Sequence, residues 1–420
     1  MLFRSIIFFT IVILTSSIFA QEATTVTIGM TYARTGPYAQ QGLDQWRGAQ
    51  IVLDKINREG GILGHPVEIV YRDVRNRPDV AAKAAMELIE KYHAKMIMGA
   101  SSSGIASEIV KVCAAHKTLY LPDHSSSSHI TCEAASPWMF RSCFNAWMGA
   151  KALGAWIKKN YPEGRVVYIT ADYSWGWSVE SSIRRFSDTQ DEGRHKTVLI
   201  PHPASGDAEI RSALELAERV RADVLVLTLF GNELETALEL ANEMGLKQRM
   251  QFIAPELELN QCAGSGPERM QNVVGVVDWV WEAPYQYDYK KGIEFVEEYA
   301  RRYQHYPCWA ASLAYINLTQ YKEAVERAGT FDGPAVIAAL EGRSFVALKD
   351  EQTWRAFDHQ GVQSVFLVKC KPAEEVRKDR YQLDFFQIID RFDGDQVVRT
   401  KQEWQAQRLA AGLPPEIGKP

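Results

Sequence analysis

The chain has 420 residues, of which 46% are hydrophobic and 24% are charged, and its formal net charge is −5. These proportions are those of ordinary folded globular proteins. A chain of this length is too long for one hydrophobic core, so we expect two lobes. The mildly acidic balance and the absence of a basic tract argue against nucleic acid as a partner.

The first residues predict a secretory signal peptide. Arg4 is followed by an apolar run from Ile6 to Leu14, and the small residue Ala20 precedes Gln21. Signal peptides typically have a basic start, a short apolar core and a small residue at the cleavage site. The apolar run is also shorter than a transmembrane helix requires. We therefore expect residues 1–20 to be the leader and the mature chain to be periplasmic. A retained anchor is the alternative.

All cysteines lie beyond the predicted leader. Export to an oxidising compartment permits disulfides, but the sequence leaves their pairing open. No Cys-x-x-Cys pair occurs, so a thioredoxin-like or zinc-ribbon site has no support. The six cysteines are Cys113, Cys132, Cys143, Cys262, Cys308 and Cys370.

From Val26 onward, short runs rich in β-formers alternate with longer helical patterns. Such alternation is typical of βαβ units built around a parallel sheet. The helix that begins at Leu43 has apolar residues at helical spacing and is ended by Gly60-Gly61. The elements predicted for this first lobe are Val26–Met30, Leu43–Glu59, Val67–Asp73, Val80–Tyr92, Lys95–Gly99, Ser103–Ala115 and Leu119–Leu121.

The same alternation restarts at Ala150 and predicts a second lobe of the same architecture. A strand at Val273–Trp281 then leads back toward the first lobe, and the chain closes with two further strands and a charged tail. The fold class is therefore α/β with two doubly wound, Rossmann-like lobes. The predicted elements are Ala150–Asn160, Val166–Thr170, Val179–Thr189, Thr197–Ile200, Ala208–Val220, Val224–Leu229, Leu234–Met244, Gln251–Ala254, Val273–Trp281, Ile293–Tyr303, Trp309–Ala328, Pro334–Leu340, Ser364–Lys369 and Tyr381–Arg391.

Several separate motifs occur in an order found in one known family. The chain resembles the branched-chain amino acid binding proteins of ABC transporters over nearly its whole mature length. The motifs are Ile28-Gly29-Met30, Thr35-Gly36-Pro37-Tyr38, Gly48-Ala49, Ile56 through Gly64, Ser101-Ser102-Ser103, Ala254-Pro255-Glu256 and Phe357-Asp358-His359-Gln360.

The resemblance implies a type I periplasmic binding protein, with two lobes joined by three crossovers near Phe144, Asp278 and Phe357. It places residues 24–143 and 279–356 in the N-terminal lobe, and residues 144–278 and 357–395 in the C-terminal lobe. Residues 396–420 are the charged tail.

One end of the expected site binds an anion. Ser101 and Ser102 follow a predicted strand and open a helix, so they offer hydroxyl groups and free N–H groups where ligands of open α/β sheets bind. A plain serine N-cap is the alternative. The resemblance adds His124 and Ser125, in the polar loop after the next strand, as contacts to the same carboxylate.

The other end lies in the second lobe. The resemblance places Glu256 where an acid pairs with an α-ammonium group, and a surface glutamate is the alternative. It places Phe230 beside the ligand, and the segment with Tyr173 and Trp175 also follows a strand. Trp281, at the returning crossover, either lines the pocket or packs the hinge.

Two departures from the family pattern bear on the ligand. Gln41 stands where the family has a pocket aromatic after the Gly36-Pro37 turn, and the early disulfide of the family is absent. We therefore expect a pocket unlike a standard leucine or valine site. The extra tryptophans suit an aromatic acid or a quaternary ammonium group.

The function predicted from these observations is solute binding for an ABC importer, with permease subunits in the inner membrane as partners. A ligand sensor for an amide, urea or aromatic acid is the alternative. We expect no enzymatic activity and no cofactor, because no G-x-S-x-G, H-E-x-x-H or P-loop motif occurs. A metal site at Asp123, His124, His129 and Cys132 is a weaker interpretation, since their spacing matches no metal-binding family.

Overall fold

The computed structural model describes residues 24–100, 102–202 and 206–420. The predicted leader and Ser101 lie outside these ranges. The fold is α/β, as predicted, and its two larger sheets form the cores of two lobes.

The N-terminal lobe is built on a parallel sheet with strand order β2-β1-β3-β4. All seven residues of β1 are buried, as expected for a strand covered on both faces of its sheet. The elements are β1 (Val26–Tyr32), α1 (Ala39–Arg58), β2 (Val67–Asp73), α2 (Pro78–Glu90), β3 (Met96–Gly99), α3 (Ser103–Ala115) and β4 (Leu119–Leu121).

The C-terminal lobe follows directly. Its strands β5 to β9 run parallel. Two later strands, β13 (Val365–Cys370) and β14 (Phe386–Phe392), complete its sheet, which has the order β14-β13-β9-β8-β7-β5-β6. The elements up to the return crossover are α4 (Ala146–Asn160), β5 (Val166–Ala171), α5 (Ser174–Ser187), β6 (Lys196–Ile200), α6 (Asp207–Arg219), β7 (Val224–Thr228), α7 (Asn232–Glu243), β8 (Gln251–Glu256), α8 (Leu259–Ser265), α9 (Pro267–Met270) and β9 (Val274–Val277).

The chain then returns to the first lobe, where α12 packs on α1. This crossing is close, because a Cβ on Gly48 would lie 2.2 Å from the carbonyl oxygen of Ala311. Strands β13 and β14 join the second sheet antiparallel. The remaining elements are α10 (Ala283–Tyr287), α11 (Lys290–Tyr303), α12 (Trp309–Ala328), α13 (Gly333–Leu340), β10 (Ser344–Val346), β11 (Glu351–Trp354), β12 (Gly361–Val362), β13 (Val365–Cys370), α14 (Ala373–Val376), β14 (Phe386–Phe392), α15 (Gly394–Val397) and α16 (Lys401–Ala410).

Some predicted boundaries are wrong. The return strand ends at Val277 rather than at Trp281, and the last strand begins at Phe386, because the Asp379 carboxylate accepts the N–H groups of Tyr381 and Leu383 in a turn. The small sheet of β10, β11 and β12 is absent from the prediction.

The region predicted as a charged tail contains a docked helix. Thr400 and Glu403 form a capping box at the start of α16. Trp404 is buried, and its Nε1–H donates to the Thr131 carbonyl at 2.8 Å. The tail therefore packs against the loop that follows β4.

Buried polar side chains connect the segments that pass between the lobes. Asp278 Oδ2 accepts the N–H of Phe144 at 2.8 Å and the amide of Gln363 at 3.0 Å. Arg141, fully buried, donates to Gln360 Oε1 at 2.9 Å and to the Ser125 carbonyl at 2.9 Å. Burial lowers the pKa of Arg141 to about 10. These hydrogen bonds connect the three crossover segments in one network.

The six cysteines are all buried, and no two of them form a disulfide. Among the described residues, no helix combines the length and the apolarity needed to cross a membrane.

Candidate ligand site between the lobes

The candidate site lies where the carboxyl ends of parallel strands from both sheets face each other. Tyr38 follows β1 and His124 follows β4, while Trp175, Phe230 and Glu256 stand at or just after the ends of β5, β7 and β8. Ligands of open α/β sheets bind at this edge. We call the space between these residues the interlobe cleft.

In this conformation the lobes are closed, and the cleft narrows to a cavity of ≈10 Å³. Such a cavity holds about one water molecule. A larger solute therefore reaches the cleft only when the lobes separate or side chains move. The lining residues are Tyr38, Ser102, Ser103, His124, Ser126, Tyr173, Trp175, Phe230 and Glu256.

Glu256 is the acidic side chain of this lining, and it is 5% exposed. Its Oε1 accepts the Trp175 Nε1–H at 2.8 Å and the hydroxyl of Ser126, which belongs to the other lobe. Burial raises the pKa of Glu256 to about 7. Among the described residues, no basic side chain forms a salt bridge with it. The charge of Arg141 acts on it only from a distance and opposes the effect of burial, so the carboxylate has hydrogen-bond donors but no directly paired cation.

Local backbone geometry turns Glu256 toward the cleft. The register between β8 and β9 shifts between Ile253 and Glu256, and Pro255 lies in that interval. Proline cannot donate to a sheet ladder and occurs at such irregularities. The motif Ala254-Pro255-Glu256 thus ends the strand and directs the carboxylate away from the sheet.

Trp175 is held by a close contact at the start of α5. A Cβ on Gly176 would lie 2.0 Å from the carbonyl oxygen of Ala171, the last residue of β5. The helix therefore begins immediately beside the strand end. This places the Trp175 indole against Glu256.

Aromatic rings form the rest of the wall and meet across the lobes. Tyr38 stacks on Phe230, with ring centroids 5.5 Å apart, and His124 meets Phe230 edge-on at 5.3 Å. Trp175 lies edge-on to Phe230 at 6.4 Å. Such a wall suits the apolar part of a ligand or a cationic group.

The start of α3 borders the same cavity. Ser102 is its N-cap residue, with extended backbone, and the Ser103 hydroxyl accepts the N–H of Ser127 at 3.0 Å. The first N–H groups of a helix have no partner within the helix and attract anions. A carboxylate and a helix N-terminus therefore border one cleft.

Two further hydrogen bonds join the lobes outside the cavity. Gln41 Nε2 donates to Glu258 Oε2 at 3.0 Å, and Asn260 Nδ2 donates to Asp44 Oδ2 at 3.0 Å. Glu258 is fully buried, and burial raises its pKa to about 7. These contacts stabilise the closed arrangement.

The structure brings six of the nine predicted site residues together around the cavity: Ser102, His124, Tyr173, Trp175, Phe230 and Glu256. Ser101 lies outside the described residues. Ser125 is beside the cleft, where its hydroxyl donates to the Ser102 carbonyl at 3.3 Å, but it does not line the cavity. Trp281 stacks on Tyr306 at 3.8 Å and donates to the Leu383 carbonyl, away from the cavity.

Three lining residues were not predicted: Tyr38, Ser103 and Ser126. Gln41, which stands where the family has a pocket aromatic, does not line the cavity and bonds Glu258; Tyr38, in the Gly36-Pro37-Tyr38 turn, places a ring against Phe230. The aromatic directly after that turn was the available signal. Ser126 carried no such signal within its run of serines.

The loop after β4 uses its candidate metal ligands differently. Asp123 accepts a hydrogen bond from the Asn317 amide, and the Cys132 sulfur lies 3.3 Å from Arg399 Nη1. Within the part of the chain that is described, no three His, Cys, Asp or Glu side chains converge as a metal site.

Comparison with known proteins places the chain among binding proteins. A family model described as "Periplasmic binding protein" matches residues 25–375. "Leu/Ile/Val-binding protein homolog 4" of Brucella melitensis is 22% identical over 388 residues, which cover 90% of this chain and 91% of the relative. Homolog 7 of Brucella suis is 26% identical over 341 residues, which cover 76% and 82%.

Solved structures share the fold. A periplasmic binding protein from Burkholderia mallei superimposes with a TM-score of 0.80 at 24% identity, covering 90% of this chain and 97% of that one. A leucine-, isoleucine-, valine-, threonine- and alanine-binding protein from Brucella ovis, in a closed conformation, gives a TM-score of 0.76 at 21% identity, covering 90% and 97%.

Proposed function

This chain belongs to the periplasmic binding protein family, and from that premise we propose that it is the solute-binding component of an ABC importer for a small α-amino acid. The observation that carries the proposal is Glu256, a buried carboxyl without a basic partner among the described residues, facing aromatic rings in a closed cleft. Buried charges are normally paired. A ligand ammonium group supplies the missing counter-ion.

The opposite end of the ligand is assigned to the start of α3. Ser102 and Ser103 border the same cavity as Glu256, so one small molecule reaches both once the lobes or the lining side chains have moved to admit it. A carboxylate at a helix N-terminus accepts free backbone N–H groups. An ammonium group and a carboxylate on one carbon atom fit this arrangement, and the names of the Brucella relatives agree with it.

The mechanism follows from contacts that only the closed form makes. Glu256, Trp175 and Phe230 lie in the C-terminal lobe, whereas Tyr38, His124 and Ser126 lie in the N-terminal lobe. A ligand that touches both sets favours closure, because only the closed form offers all of its contacts. The closed surface then docks the permease in the inner membrane. The chain carries out no chemistry itself.

The experiment is a thermal-shift screen of the mature chain against amino acids, followed by calorimetry with the amino acid that the screen selects and with its analogues that lack the carboxylate or the ammonium group; for leucine these are isoamylamine and 4-methylpentanoate. A ligand at a hundred times its dissociation constant stabilises the folded state by about 2.7 kcal/mol. We expect amino acids to bind and both truncated analogues to bind at least about ten-fold more weakly. Preferential binding of the carboxylic acid alone would remove the ammonium assignment.

Export is the second part of the proposal. The family supports a periplasmic location, and residues 1–20 are the leader that the sequence predicts. Mass spectrometry of the protein recovered from a periplasmic extract tests both points. Cleavage after Ala20 supports them, whereas an intact N-terminus in the membrane fraction contradicts them.

A further inference from the structure

A second, larger cavity lies behind the wall of the interlobe cleft. Ser126 and Trp175 line the cleft, while their neighbours Ser127, Ser128 and Ser174 line this second space, which has a volume of ≈640 Å³. We call it the rear cavity. The loop after β4, helices α4 and α5, and the C-terminal segment all contribute to it. Small-molecule sites have volumes of about 300–1,000 Å³, so the rear cavity has the size of a ligand site.

Two guanidinium groups converge on one ring in the rear cavity. Arg185 lies 4.7 Å and Arg399 4.3 Å from the centroid of Trp147. Within the described ranges, neither arginine forms a salt bridge with a carboxylate, and the polar partner of Arg399 Nη1 is the Cys132 sulfur. Both positive charges therefore lie at one ring that lines the cavity, and no ion pair neutralises either of them within the described ranges.

The carboxylate that lines the rear cavity is engaged elsewhere. Glu133 Oε1 accepts the Gln407 amide at 2.9 Å, and Glu133 Oε2 lies 3.4 Å from His129 Nδ1. These bonds hold the pKa of Glu133 near 2 despite partial burial, which opposes them. Glu133 is thus committed to its own partners. Glu403 interacts with the charge of Arg185, but its carboxylate bonds Thr400 at the start of α16 and does not line the rear cavity.

A buried donor points to the same conclusion. Trp147 lines the rear cavity and is 5% exposed, yet its Nε1–H has no hydrogen-bond partner among the described residues. Buried N–H groups are normally paired, so each exception calls for an explanation. An acceptor oxygen on a bound molecule would satisfy it once the side chains that cover the nitrogen move. Trp177, 53% exposed, borders the same space and offers apolar surface to a carbon skeleton.

We propose that the rear cavity is a second ligand site, distinct from the interlobe cleft, that binds a small organic carboxylate through Arg185 and Arg399. The planar guanidinium group matches a carboxylate in a bidentate pair. Because residues 126–128 and 174–177 separate the two spaces, the second site adjoins the wall that holds Ser126 against Glu256.

The test is calorimetric titration of the mature chain with succinate, a probe with two carboxylates, and with succinamide, its uncharged counterpart of nearly the same shape. The variants are Arg185→Gln, Arg399→Gln and their combination, with Arg185→Lys plus Arg399→Lys as the charge-conserving pair. Arg219→Gln, an exposed residue at the end of α6, controls for a general loss of positive charge. Thermal unfolding checks that each variant folds, and Arg185→Gln alters only an exposed side chain.

We expect saturable binding of succinate, no measurable binding of succinamide, and affinity about ten-fold or more weaker in the double glutamine variant. The lysine pair should bind with intermediate affinity, and Arg219→Gln should bind as the parent does. Absence of succinate binding, equal affinity for succinamide, or full affinity in the double glutamine variant would each overturn the second site.

Discussion

Replacing Glu256 with glutamine separates charge from shape in the interlobe cleft. Glutamine retains a carbonyl oxygen where Glu256 Oε1 accepts hydrogen bonds from Trp175 and Ser126, so the contacts across the lobes persist. The variant loses the negative charge alone. The substitution therefore measures what that charge contributes to ligand binding.

The expected loss follows from the environment of the carboxylate. A hydrogen bond to a charged group contributes about 1.5–3 kcal/mol. Glu256 is 5% exposed, so solvent screening is weak, and the upper part of this range applies. We expect the dissociation constant for the amino acid chosen by the screen to rise roughly 50- to 150-fold.

The same carboxyl predicts a pH signature. Burial raises the pKa of Glu256 to about 7, and an ammonium ligand binds the ionised form. Affinity should therefore fall as the pH is lowered from about 8 to about 5, by up to about ten-fold per pH unit below that pKa. The glutamine variant has no such group and should show a flatter profile.

Calorimetry at several pH values measures both effects. Glu282→Gln is the matched control, because Glu282 is another carboxyl whose pKa is raised by burial, and it accepts the N–H of Phe386 away from the cleft. Unchanged affinity in Glu256→Gln, an equal loss in Glu282→Gln, or a pH-independent affinity in the parent chain would refute the charge-pairing argument.

Three other perturbations test the surrounding structure. The pKa values of Glu256 and Glu258 are both raised to about 7 by burial, against about 4.3 in unfolded chains, so the folded state binds these protons more tightly. The two protonated carboxyls should therefore stabilise the folded state fully below about pH 4, and this stabilisation should be lost as the pH rises through 7. In urea titrations, the unfolding free energy of the variant with both residues changed to glutamine should vary less with pH than that of the parent chain. Arg141→Met leaves buried acceptors of the crossover network unpaired and should lower the unfolding free energy by about 3 kcal/mol or more. Arg141→Lys should have an intermediate effect. An unchanged unfolding free energy in Arg141→Met would contradict the structural role of Arg141. Gly176→Ala should lower the unfolding free energy by about 1–3 kcal/mol, because the new methyl group would lie 2.0 Å from a backbone oxygen. The control Gly104→Ala places its methyl group more than 4 Å from any other atom and should leave the unfolding free energy unchanged or raise it. Equal effects of the two substitutions would disprove the close contact at α5.

Local patterns in the sequence were enough for the architecture. The alternation of strands and helices predicts both lobes, and the predicted bounds of the helix Trp309–Ala328 coincide with α12. Glu256 and Phe230 were identified through the family resemblance. Both also follow parallel strands, whose carboxyl ends collect at one edge of a sheet.

Short elements with few apolar residues escaped prediction. Strands β10 to β12 have two to four residues, which is too short for a period to be recognised. Helix α16 carries a capping box, yet its charged composition indicated a tail. Its burial depends on the contact between Trp404 and Thr131, which are far apart in the sequence.

The sequence by itself determined the fold class, the family resemblance and the positions at which each strand delivers a side chain to the cleft. The tertiary structure alone decided which of those side chains meet. It placed Tyr38 rather than Gln41 against Phe230, paired Ser126 with Glu256, and moved Trp281 onto Tyr306. The reason is physical: a strand end fixes where a residue emerges, but its partners across the cleft depend on how the crossovers orient one lobe against the other.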